Sequence, residues 1–120
     1  MIVNCKTELI KTLSEIGYQL SDIIAYNIML IDGARKIQIS GTELSYDLDK
    51  LSFDYPNEDN DFQKCFGIVL FTDGSWLERK FFAGSEWWHY RIAPDIHDVI
   101  NGNYFRYLSN CKQESKRLFP

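Results

Sequence analysis

Near the start of the chain, apolar positions recur at helical spacing. Leu9, Ile10, Leu13 and Ile16 share one side, and Lys6, Glu8, Lys11 and Glu15 fall mostly on the other, which predicts an amphipathic helix over residues 4–16. Asn4 suits the N-cap, and Gly17 suits the stop, because glycine adopts the left-handed conformation that ends many helices. Residues 22–31 are apolar and β-branched and read as a buried strand, although Leu20, Ile23, Ile24 and Asn27 also fit a helical stripe. Asp32-Gly33, followed by the β-like run Lys36-Ile37-Gln38-Ile39-Ser40, decides for a hairpin.

The pattern is lost over residues 42–63. Leu48, Leu51, Phe53 and Tyr55 alternate only in part, and Pro56-Asn57 with a run of acids marks an excursion or long loop whose start is tacked onto the core. Clear alternation returns over 65–92. Phe66 to Phe71 reads as a strand and Asp73-Gly74 as its turn. The return strand, Trp76 to Phe82, puts Trp76, Glu78, Lys80 and Phe82 on one face and Leu77, Arg79 and Phe81 on the other. Ala83-Gly84-Ser85 turns again, and Glu86 to Ile92 sets Trp87, His89 and Arg91 opposite Trp88, Tyr90 and Ile92. Short glycine turns make these strands sequential antiparallel neighbours. Pro94 ends the sheet, Asp95 caps a short helix from Ile96 to Ile100, a second short helix is expected over 104–108, and residues 113–120 are expected to fray. The expected fold is α+β, in one domain spanning 1–120: an N-terminal amphipathic helix packed on a twisted antiparallel sheet of about five strands, with short C-terminal helices.

Composition adds rings and an uneven charge. Aromatic residues make up 15% of the chain, enough both to fill a small core and to build binding surfaces. Net charge is −4, yet between Gly41 and Phe62 seven acids (Glu43, Asp47, Asp49, Asp54, Glu58, Asp59, Asp61) face one base, Lys50. The C-terminal end leans the other way, with Arg106, Lys112, Lys116 and Arg117 against Glu114. The acidic stretch reads either as a solvated loop or as an electrostatic face for a partner. No apolar run is long enough to span a membrane, and Met1 to Lys6 shows no export signal, so a cytoplasmic protein is expected. Cys5, Cys65 and Cys111 are far apart and form no C-x-x-C pair, which predicts reduced thiols.

Candidate chemistry is sparse. His89 and His97 are the only histidines, and no cysteine stands at ligand spacing to either, so no metal and no cofactor is expected. Residues 57–61 lack the spacing of a calcium loop, and Ser75 and Ser85 lie outside any nucleophile elbow. Glu78 and Glu86 flank the 83–85 turn. On one face with Trp76, Trp87 and His89 they would resemble a sugar-cleaving pair. The preferred reading is cross-strand salt bridges to Lys80 or Arg91, and no catalytic residue is assigned. Trp87 and Trp88 must point to opposite faces. One indole enters the core, and the other is either covered by the 42–62 excursion or exposed as a hot spot. An acidic chain without a basic stripe argues against direct contact with nucleic acid.

The stretch Phe71-Thr72-Asp73-Gly74-Ser75-Trp76-Leu77-Glu78-Arg79, followed by Gly84-Ser85-Glu86-Trp87-Trp88, resembles a pattern in small phage and prophage proteins. It covers about twenty residues and extends weakly upstream through Leu51 to Tyr55. The chain departs from that pattern at Phe82-Ala83 and at Pro56 to Asp61, where the family favours Tyr-Asp and a glycine-rich segment. The resemblance implies a mobile-element origin and supplies no activity; small acidic proteins of such origin often resemble inhibitors of bacterial defence, including anti-CRISPR proteins, which occupy a surface of a nuclease complex. The expected partner is then a basic nucleic-acid-binding defence or toxin protein in the host cytoplasm. Asp47, Asp49, Asp54, Glu58, Asp59, Asp61, Trp76 and Trp87 are the expected contact residues. Two alternatives stay open: an immunity protein that neutralises a toxin nuclease, and a small carbohydrate- or nucleotide-binding module or enzyme.

Overall fold

The computed structural model describes residues 1–102. Strand β1 (Ile2–Asn4) runs straight into helix α1 (Cys5–Ile16). Asn4 caps the helix through its side-chain oxygen, which accepts the Thr7 N–H at 3.1 Å, and Gly17 ends it in the left-handed conformation at φ 83°. Cys5, Leu9 and Leu13 are buried, whereas Ile10 is exposed, so the apolar stripe is narrower than the sequence spacing implies.

Strands β2 (Ile23–Asp32) and β3 (Arg35–Gly41) form the expected hairpin, with Asp32 opposite Arg35 and Gly33 at φ 60° in the turn. Two short 3-10 turns, Leu44–Tyr46 and Leu48–Leu51, lead to strand β4 (Asp54–Pro56), which pairs antiparallel with β1. The meander follows as β5 (Cys65–Phe71), β6 (Trp76–Phe82) and β7 (Ser85–Arg91), and then helix α2 (Ile96–Ile100), whose N-cap is Asp95. The main sheet is ordered β3-β2-β5-β6-β7 and is antiparallel at every pairing. The fold is thus α+β, with a five-stranded antiparallel sheet and two helices among the described residues. The helix expected over 104–108, the frayed end expected over 113–120, the basic positions from Arg106 to Arg117 and Cys111 lie outside the described residues. No helix among the described residues is long and apolar enough to cross a membrane.

The inner face of the sheet carries Ile28 and Leu30 from β2, Cys65, Val69 and Phe71 from β5, Leu77 from β6 and Trp88 from β7, all in one buried cluster with Leu9 and Leu13 of α1. At Gly67 the backbones come so close that a Cβ there would lie 2.5 Å from the Asn27 carbonyl oxygen, which is why the middle of an otherwise apolar strand holds glycine. Cys5 and Cys65 are free buried thiols, and burial pushes both upward in pKa, Cys65 to about 12.

The start of the 42–62 stretch is tacked onto the core as expected, through Leu51, Phe53 and Tyr55 with Leu48 partly buried beside them, and Leu44 adds an anchor that the pattern did not show. Leu44, Leu51, Phe53 and Tyr55 are each no more than 2% exposed and belong to the same core cluster as α1. The Cys5 N–H donates to the Phe53 carbonyl at 2.9 Å, and the Arg35 guanidinium sits 5.0 Å from the centre of the Phe53 ring. Each such burial stabilises by about 1.5–3 kcal/mol, so four anchors hold this ribbon to the domain. The ribbon shares the inner face with Trp88 and does not lie over the outer face that carries Trp87.

Candidate docking surface

Along the ribbon, inward apolar side chains alternate with outward carboxylates. Asp47 accepts the Tyr26 hydroxyl at 2.5 Å and lies 3.2 Å from the Lys50 ammonium. Asp49, with its side chain 92% exposed, pairs with Lys6 at 2.5 Å. Asp54 accepts from the Asn4 side-chain amide at 2.8 Å, and Glu58 meets the Met1 ammonium at 2.6 Å. The Tyr26 hydroxyl and Lys50 hold the Asp47 carboxyl below its ordinary pKa, Lys6 does the same for Asp49, and the Met1 ammonium for Glu58. The reciprocal effect appears at Tyr26, which burial and then the Asp47 carboxylate push up to about 12. Asp47, Asp49 and Glu58 are therefore each held against a partner and stay ionised at neutral pH.

Asp59 and Asp61 stand further along, in the loop between β4 and β5. Asp59 is at φ 53°, and Gly84 lies directly beneath it, where a Cβ would come within 2.8 Å of the Asp59 Cα. The Asn60 N–H donates to the Gly84 carbonyl at 3.1 Å, and Asn57 pairs through its side-chain amide with both the N–H and the carbonyl of Glu86. The loop is thus laid along the edge of β7. Among the described residues no ion pair engages Asp59, Asp61 or Glu43. Against the seven carboxylates of this surface the fold supplies Lys50, Lys6 and the Met1 ammonium, which leaves it net negative.

The expected aromatic contacts lie elsewhere. Trp76 and Trp87 are half-buried on the outer face, with Trp76 opposite Arg91 and Trp87 opposite Lys80. The structure therefore does not bring these two indoles together with the acids of residues 47–54, which are anchored to the inner-face layer. Between the indoles, Glu78 lies 2.5 Å from Arg91 and 2.9 Å from Lys80, and accepts a long hydrogen bond from the Trp76 indole at 3.4 Å. Burial alone would raise the Glu78 pKa, but these three partners outweigh it and lower the value to about 2. The cross-strand bridge from Glu78 to Arg91 of β7 is present as expected, whereas Lys80 pairs with Glu78 from two residues along the same strand. Glu86, however, is on the inner face, so the two carboxylates that would resemble a sugar-cleaving pair point to opposite sides of the sheet.

Sequence reasoning missed what Glu86 does. Its carboxylate is fully buried and accepts from Arg79 Nε at 3.1 Å and Nη2 at 2.9 Å, and from the Lys64 and Cys65 N–H groups at 2.7 and 2.9 Å. Arg79 Nη1 reaches Glu8 of α1 at 2.8 Å, and Nη2 donates to the Tyr55 hydroxyl at 2.6 Å. Burial would lower the Arg79 pKa, but the anions around it outweigh that and raise it. One guanidinium thus ties together α1, the ribbon, β6 and β7. The signal was present in the alternation, which put Arg79 on the same side as Leu77.

Comparison of the chain with family models, with curated proteins and with solved structures finds no match in any of the three.

Proposed function

We propose that this protein works by docking its acidic ribbon onto a basic protein surface, and that it inhibits a host defence complex in the manner of an anti-CRISPR protein. The observation that carries the reading is the anchoring of residues 42–56. Their carboxylates are held by buried leucine and aromatic side chains, so they need no ordering when a partner arrives. A preformed negative surface speeds encounter with a cationic one and mimics the phosphates that a nucleic-acid-binding partner ordinarily holds. The resemblance of residues 71–88 to phage proteins supports a mobile-element origin, and the small size and acidity of the chain fit an inhibitor of that origin. An immunity protein would use the same physics, and a toxin gene beside this one would favour that reading.

The test is affinity capture from a bacterial lysate, with the wild-type chain and a Glu43→Lys, Asp59→Lys, Asp61→Lys variant as paired baits. These three acids hold no ion pair among the described residues, so their reversal breaks none of the ion pairs that anchor the surface, and a thermal melt of the variant checks that it folds. A basic nucleic-acid-binding protein retained by the first bait and lost from the second is the expected result. A partner held equally by both, at low and high salt, would remove the acidic surface from the interface.

A further inference from the structure

The acidic surface requires an apolar anchor, because charge alone gives encounter more than residence. Trp76 and Trp87 do not supply it, since they lie on the outer face. A second place does. The 3-10 turn at Leu20–Asp22 and the start of β2 face the beginning of the ribbon across an open groove of about 470 Å³. Buried Ile23 and Leu44 form its base together with Leu20, and exposed Ser21, Thr42 and Glu43 form its rim.

We infer that this groove receives a leucine, isoleucine or phenylalanine side chain of the partner, from a segment in which lysine or arginine flanks that residue. The inference rests on the docking reading above and adds where the partner is gripped and by what. The charge fits: Glu43 sits on the rim with no ion pair among the described residues, and the ribbon carboxylates continue from it. A phosphate-bearing ligand would be repelled by the same charges, which selects a basic polypeptide. The volume lies within the range of sites that enclose small ligands, and a single large aliphatic or aromatic side chain fits it. The walls are already fixed. The Tyr26 hydroxyl, on a buried side chain of β2, donates to Asp47 and reaches the Glu43 carbonyl at 3.4 Å, so one side chain holds the ribbon at this distance from the sheet. Tyr46, one residue past the groove, is 82% exposed and offers a ring to the same partner.

The test titrates the ¹⁵N-labelled full chain with three short synthetic peptides, read by amide shifts. The first has one leucine flanked by lysines, the second replaces the leucine with glycine, and the third replaces the lysines with glutamates. The expected result is shifts at Ser21, Thr42 and Ser45 with the first peptide, bound about tenfold tighter than the second. Thr42→Trp, which fills the groove from its exposed rim, is expected to abolish that difference while leaving binding of the glycine peptide unchanged. Ser21→Trp repeats the test from the other rim should the first variant fold poorly. Equal binding of the leucine and glycine peptides, with shifts confined to residues 47–61, would overturn the groove and leave the docking surface standing. Absence of binding by either lysine peptide, or equal binding of the glutamate peptide, would overturn both.

Discussion

Two groups of paired acids and bases in this molecule do opposite work. Around Arg79 the charges are sealed between layers, with the Arg79 and Glu86 side chains fully buried and Glu8 partly buried. On the acidic surface most face water, with the Asp49 and Glu58 side chains 92% and 66% exposed and Asp47 the partly buried exception. A buried charge that loses its partner is costly, whereas an exposed ion pair contributes little to folding. The Arg79 cluster is therefore committed to holding α1, the ribbon and the meander together. The ribbon acids are spare, as far as stability goes, and available to another molecule.

The largest way to break this contrast is Arg79→Ala. It strands the buried Glu86 carboxylate and should cost about 3–5 kcal/mol, read as a large fall in the denaturant midpoint. Phe53→Ala comes next, since it removes a ring that is 2% exposed and leaves a cavity under the ribbon. A loss of about 3–4 kcal/mol is expected, with weakened partner binding that exceeds what the lost stability explains. A pH titration separates a third site. The Glu78 pKa is lowered in the folded chain, from 4.5 to about 2, so its contribution is present above pH 4.5 and is lost as the pH falls toward 2. Thermal melts should decline across that window, and Glu78→Gln should flatten part of the decline. The smallest effect belongs to Glu43→Lys with Asp61→Lys. Stability should move by less than about 0.5 kcal/mol while salt-dependent partner binding drops.

How much of this was legible depended on whether the contacts were local. The meander was readable because Asp73-Gly74 and Ala83-Gly84 set tight turns and the strands alternate cleanly, down to Trp87 and Trp88 on opposite faces. The hairpin of β2 and β3 was readable for the same reason. The ribbon was legible only in part: Leu51, Phe53 and Tyr55 were expected on the core, but its path was not, because it runs through two 3-10 turns and a short strand, which share no single period. Strand β1 was missed since its partner, β4, is about fifty residues away and only three residues pair. Among the candidate contact residues, the separation of the acids of residues 47–54 from Trp76 and Trp87 required the sheet order. Glu43 and the groove beside it needed the approach of residues 20–23 to 42–45, which no local pattern encodes.

The claim beneath all of this is that the acidic ribbon is a fixed surface rather than a solvated loop. Backbone ¹⁵N relaxation across residues 43–56 tests it directly, without any partner. Order parameters close to those of β2 and β5, about 0.85, are the expected result. Values below about 0.6 over Leu44 to Tyr55 would contradict it.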